Sequence, residues 1–192
     1  MTLLVLGLIV FLGAHSMRIV ADGWRASVIE RRGLNAWKAA ISIASVVGVA
    51  LIAIGYGAAR GDPVWLWTPP VWTRHLAALL TLPAFVLLAS AFGPDNRIRA
   101  AVGHPMVLGV KLWALAHLLA NGTLADVLLF GGFLIWAIAS FAAARRRDRT
   151  AAVTRSVGTP TATMIAVGAG VLAWAAFAFW LHRWLIGVAP FG

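Results

Sequence analysis

The stretch GHPMVLGVKLWALAHLLANG, Gly103 to Gly122, decides how this chain is read. It is apolar and of membrane-spanning length, yet it holds His104, Lys111, Trp113, His117 and Asn121. An α-helix rises about 1.5 Å per residue, so roughly 20 apolar residues cross the ~30 Å hydrocarbon core of a bilayer. Strand periodicity is absent here and along the rest of the chain. Pro105 suits the first helical turn, where its missing N–H would have had no intrahelical partner. Asn121-Gly122 then marks a tight turn. Polar groups at membrane depth are costly to bury, so each one in this span is a candidate for function.

The same apolar pattern recurs on both sides. Working outward, spans are expected at Leu3–Val20, Trp37–Ala58, Thr73–Phe92, His104–Asn121, Leu124–Ala144 and Met164–Val188. Pro83, inside the third, removes a backbone donor and is expected to kink that helix. Asp22 to Arg32 reads as a charged loop or a short interfacial helix, and Gly93 to Ala100 as a loop. The segment GDPVWLWTPP, Gly61 to Pro70, pairs turn signals with two tryptophans and suits a membrane–water interface. The expected fold class is all-α, an integral membrane bundle of about six transmembrane helices in a single domain over residues 1–192.

Composition narrows the function classes. Of 192 residues, 61% are hydrophobic and 11% charged, against about 25% charged in soluble domains. The net charge of +10 does not imply nucleic-acid binding, because the basic residues lie in short loops between spans. Twelve Lys and Arg flank the loops after spans one, three and five, and three lie on the other side. The positive-inside rule then puts the run RRRDR, Arg145 to Arg149, in the cytoplasm and both termini outside. A lipid-headgroup patch is the second reading of that run. The expected location is a membrane crossed several times, with the bilayer as the first partner. Cysteine is absent, which excludes disulfides and thiolate metal sites. Met1 to Val10 lacks a basic start and a small-residue cleavage site, so it reads as a retained span.

Chemistry falls to the histidines. His15, His75, His104, His117 and His182 all lie in or at the edge of a span. Imidazole ligates zinc, copper and iron. Zinc sites usually recruit carboxylates or thiolates too, and none of the six acids is expected at mid-membrane. A haem needs only axial imidazoles and an apolar pocket, which ten Trp and nine Phe can line. In span four, Trp113, His117 and Asn121 recur every four residues and share a face. His104 and His117 lie about 20 Å apart along the axis and cannot share one metal. Lys111 reads equally as a snorkelling residue or a pocket cation. Depth along each span favours pairing His15 with His104, and His117 with His75 or His182.

With HPMVLGVKLWALAHLLANG, GAHSMR, WTPPVWTRH and PDNRIRAAVGHP in view, the chain resembles the NnrU family of bacterial membrane proteins. That family includes the zeta-carotene isomerases of plants and cyanobacteria. The resemblance covers roughly residues 1 to 145. It implies a helical bundle and, from the isomerase branch, a haem b whose iron isomerises a cis double bond of a polyene. The histidine motifs of that branch match His15 and His117, which the resemblance implies as axial ligands, above the depth pairing. His104, Trp113 and Asn121 are further cofactor-binding candidates. A cysteine ligand of the isomerases falls at Ala114, and Lys111 stands where a small apolar residue is expected. The bacterial branch implies nitrogen-oxide metabolism, that is denitrification, with nitric oxide as a partner of the haem. Two other readings compete. One is a non-enzymatic membrane assembly or interaction protein whose histidines hydrogen-bond across helices. The other is a membrane methyltransferase-like enzyme, suggested by the HP element, although only Asp148 offers an acid after Ala143.

Overall fold

The computed structural model describes residues 1–191 and is all-α, with two isolated bridges as the β pairing among the described residues. Nine α-helices run in chain order: α1 Thr2–Val20, α2 Asp22–Arg32, α3 Leu34–Gly61, α4 Trp72–Ser90, α5 Arg97–Val102, α6 Pro105–Ala120, α7 Leu124–Thr150, α8 Pro160–Ala176 and α9 His182–Ile186. A π-helical turn, Phe177–Leu181, joins the last two. Five helical segments are long and apolar enough to cross a membrane: α1, α3, α4, α7 and the run from α8 through α9. The helix α6, at 16 residues, is a shorter apolar helix. Its length is about 24 Å, because Gly103 at φ +77 starts it late and the extended Asn121 ends it.

The charged segment after span one takes the helical of its two expected forms, as α2. Two other sequence expectations need adjustment. The expected loop at Gly93–Ala100 contains the start of α5, because buried Asn96 caps it. The Asn96 side chain accepts from Arg99 N–H at 2.9 Å and donates to Ser90 C=O at 2.9 Å. An Asn before a basic helical turn is a standard N-cap signal. The helix α7 continues past Ala144 to Thr150, carrying the arginine run one and a half turns beyond its apolar part.

The long helices pack side by side in the order α3, α1, α7, α6, α4, α8. Sequence-adjacent α3 and α4 are therefore not neighbours in this row. Glycines set the α1–α3 seam. A Cβ at Gly48 would lie 2.8 Å from the Phe11 Cβ, and one at Gly7 would lie 2.6 Å from Ile52 N. In a bilayer, helices associate through such close backbone approach, since lipid tails are as apolar as leucine. At the other side of the row, Gly109 of α6 seats against the Ala84 carbonyl of α4. The central apolar cluster joins Leu4 and Leu8 of α1, Ala59 of α3, and Ala125, Leu129 and Phe130 of α7.

Two ends result. At one, Arg147 donates to the Arg18 carbonyl at 3.0 Å and Asn96 bridges Thr159. At the other, Trp65 bridges Thr123 and Arg60 donates to the Ile186 carbonyl at 2.6 Å. The loops after α1, α5 and α7 thus gather at one arginine-rich end, and both chain ends lie at the opposite one.

Candidate functional site at the arginine-rich end

His15 sits four residues after Phe11 on α1, and its Nδ1–H donates to the Phe11 carbonyl at 2.8 Å. A carbonyl only accepts, so Nδ1 carries the proton and Nε2 keeps its lone pair in the neutral ring. The Phe11 ring stacks on the imidazole with centroids 4.3 Å apart, and Trp136 of α7 meets it edge-on at 6.1 Å. Trp136 is also notable for its indole N–H, which is buried and has no partner among the described residues. A buried donor without an acceptor costs about 1–3 kcal/mol unless another group satisfies it.

His104 precedes Pro105 at the start of α6, turned by Gly103. Its Nε2 donates to Asp148 Oδ2 at 2.7 Å, and Arg155 donates to the same oxygen at 2.5 Å. A carboxylate on one ring nitrogen is the arrangement that orients metal-binding histidines and leaves the other nitrogen free. Arg155, opposed by partial burial and helped by His104, holds the Asp148 carboxyl below its usual range. Asp148 lies beyond the apolar part of α7, in the arginine run.

His15 and His104 line one cavity of about 880 Å³. Arg18, Arg146 and Arg147 stand around it, with Ile19, Val107 and Ala144 as apolar wall. Among the described residues none of these three arginines makes an ion pair. Asp148, the one acid on the wall, is already matched by Arg155. The cavity is therefore cationic at its rim and apolar with a free imidazole nitrogen nearby.

His117 is placed elsewhere. Its Nδ1–H donates to the Trp113 carbonyl at 2.8 Å, repeating the His15 arrangement, and Phe130 stacks on it at 4.7 Å. Asn121 donates to the His117 carbonyl at 2.8 Å and so serves the end of α6. The nearest histidine ring recorded for His117 is His182, with centroids 6.5 Å apart. The π-helical turn before His182 changes the direction in which that residue leaves its helix.

The two histidines implied as axial ligands, His15 and His117, share no ring contact among the described residues, and His117 is not on the cavity wall that carries His15. Their ring neighbours on α7, Trp136 and Phe130, lie six residues apart, which is about 9 Å along the axis. Phe133 fills the interval, 5.6 Å from both Phe11 and Trp113. Two imidazoles on one metal need nitrogens about 4 Å apart, from bonds of about 2 Å each. His15 and His104 line one cavity, and the His117 and His182 rings lie 6.5 Å apart between centroids. Lys111 places its ammonium 5.2 Å from the Phe141 ring centroid, a cation–π contact, and is not on the cavity wall.

A second polar group was not singled out in the sequence. Tyr56 of α3 donates to Asp126 Oδ1 at 2.5 Å, and Thr123 and Asp126 form a capping box at the start of α7. The T-x-x-D spacing was a usable signal for it. Arg155 and Trp136 left none, since their roles depend on partners far along the chain or on another helix.

These features define a multi-pass, all-α membrane protein with a histidine- and arginine-lined cavity at one end. The chain belongs to the NnrU family: the family described as NnrU protein matches residues 3–190, including the last span. No curated protein and no solved structure matches it.

Proposed function

We propose that this NnrU family member binds haem b in the cavity at the arginine-rich end and acts in nitrogen-oxide metabolism, with nitric oxide as the small ligand it meets. The observation that carries the reading is the joint placement of His15 and His104 on one cavity large enough for a planar cofactor. The donor set fits the group: His15 offers Nε2, and His104, oriented by Asp148, offers Nδ1. The unpaired indole N–H of Trp136 beside His15 is a donor with no acceptor from the chain itself. Iron held there would supply a coordination position for a diatomic ligand when only one of the two imidazoles binds it.

The chain's own residues do the rest. The Phe11 carbonyl keeps His15 in one tautomer and one orientation. The Asp148–Arg155 pair keeps His104 facing the cavity. Phe11 and Trp136 exclude water from the inner side of the His15 ring. By the positive-inside rule this end faces the cytoplasm of a bacterial inner membrane, with both termini outside.

A polyene isomerase is the second reading, from the same family. Two observations favour the first. The cavity is rimmed by arginines, which do not suit a hydrocarbon chain. Ala114, where the isomerases carry a cysteine, is fully buried and offers no thiolate.

The test is the visible spectrum of protein purified in mild detergent, with and without dithionite. Wild type shows a Soret band that sharpens on reduction. His15→Ala and His104→Ala lose or shift it, and His117→Ala keeps it. A colourless protein that takes up no haem on reconstitution sinks the proposal and returns the assembly-protein reading. Loss of the band only in His117→Ala moves the site to the other end of the bundle.

A further inference from the structure

Three arginines around one cavity are not explained by membrane topology alone, because topology needs only their side and not their convergence. Arg18 comes from the end of α1, and Arg146 and Arg147 from the end of α7. The hydrogen bond from Arg147 to the Arg18 carbonyl ties these two helix ends together and holds the charges around one mouth. None of the three has an ion-pair partner among the described residues. Below them the wall turns apolar through Ile19, Val107 and Ala144. A water-soluble anion would use the rim and leave that wall unfilled. A neutral hydrocarbon would use the wall and leave the rim unmatched.

From this juxtaposition we infer that the cavity is a binding site for an amphipathic anion, whose carboxylate or phosphate head is held by Arg18, Arg146 and Arg147 while its apolar body lies against Ile19, Val107 and Ala144. Guanidinium groups bind carboxylate and phosphate oxygens through paired N–H donors. Asp148 does not oppose the head, because Arg155 and His104 already hold its charge. The ligand enters from the leaflet at the arginine-rich end, where the mouth lies. The inference deepens the haem reading, since haem carries two carboxylates on an apolar ring, but it concerns the arginines and not the iron. An anionic phospholipid has the same head-and-body chemistry.

The probe is metal-free protoporphyrin IX, followed by its own fluorescence on the full chain in neutral detergent. Its dimethyl ester, identical except for the two charges, binds at least tenfold more weakly to wild type, a comparison that needs no variant. Arg18→Gln combined with Arg146→Gln weakens the acid at least tenfold, while Arg183→Gln at the far end leaves it unchanged. Protoporphyrin carries no iron, so its binding reads the arginine site apart from any haem ligation: porphyrin binding kept in a protein that shows no Soret band with haem fails the haem reading alone. Nanodiscs of phosphatidylglycerol competing where phosphatidylcholine does not place a lipid head in the same site. Competition by neither leaves the carboxylated ring as the ligand, and both results support anion recognition. Equal binding of acid and ester, or equal competition by both lipids, overturns it.

Discussion

Gly48 offers the sharpest test of how the bundle holds the candidate site. A Cβ at this position would meet the Phe11 Cβ at 2.8 Å and the Phe11 N at 2.9 Å. Ordinary contact begins near 3.4 Å, so Gly48→Ala must push α1 away from α3 by about 0.6 Å at this level. These atoms are backbone and Cβ, with no flexible side-chain end to swing aside. Overpacking of this kind costs about 1–3 kcal/mol, and the helix propensity gained on losing a glycine returns roughly 0.5–1 kcal/mol. A net loss of about 1–2 kcal/mol is expected. Gly57, on the same helix, has nothing within 4 Å of its Cβ position. Gly57→Ala should therefore be neutral or slightly stabilising. The assay is reversible unfolding of both variants in mixed dodecylmaltoside and dodecyl sulfate micelles, monitored by tryptophan fluorescence. Phe11 also stacks on His15 and accepts its Nδ1–H, so Gly48→Ala should disturb the His15 environment while Gly57→Ala does not. A Gly48→Ala protein as stable as Gly57→Ala would refute the close-packed α1–α3 seam.

Other outcomes follow from individual contacts. Tyr56→Phe removes one hydrogen bond to the Asp126 carboxylate and should cost about 1.5–3 kcal/mol; Asp126→Ala also removes the capping box and should cost more, as read by the same unfolding assay. Asp148 has its folded pKa depressed chiefly by Arg155, so its contribution is present above the ordinary carboxylate value and lost as pH falls through the lower folded one. The protection of amides in residues 150–158, taken relative to their intrinsic exchange at each pH, should accordingly fall in acid, and this acid-induced step should vanish in Asp148→Asn; an unchanged step in that variant would assign it to another group. The spectral and porphyrin-binding outcomes stated above test the cavity itself.

The family and the bundle were legible because they rest on one-dimensional signals. Hydropathy marks each span through the number of residues that cross a bilayer, and the basic residues between spans mark the sides. The match of the NnrU family over residues 3–190 agrees with the motif reading and extends it through the last span. Local chemistry was less visible. Asn96 as a helix cap and Thr123–Asp126 as a capping box had sequence signals that an emphasis on histidines passed over. The pairing of Arg155 with Asp148 had none, since it depends on the chain after α7 folding back over the helix end.

What the sequence determined by itself is the all-α class, the approximate place of each apolar helix, and the level of each histidine along its own helix. Levels follow from a fixed rise per residue, and depth gave His15 with His104, and His117 with His75 or His182, as the expected groupings. Neighbour order was decided only in three dimensions. With α7 lying between α1 and α6, Phe133 packs against both Phe11 of α1 and Trp113 of α6. The convergence of Arg18, Arg146 and Arg147 around one cavity arises from that same adjacency of α1 and α7. Which helix packs against which depends on the fit of many small residues along every seam, and no single stretch of the chain carries that information.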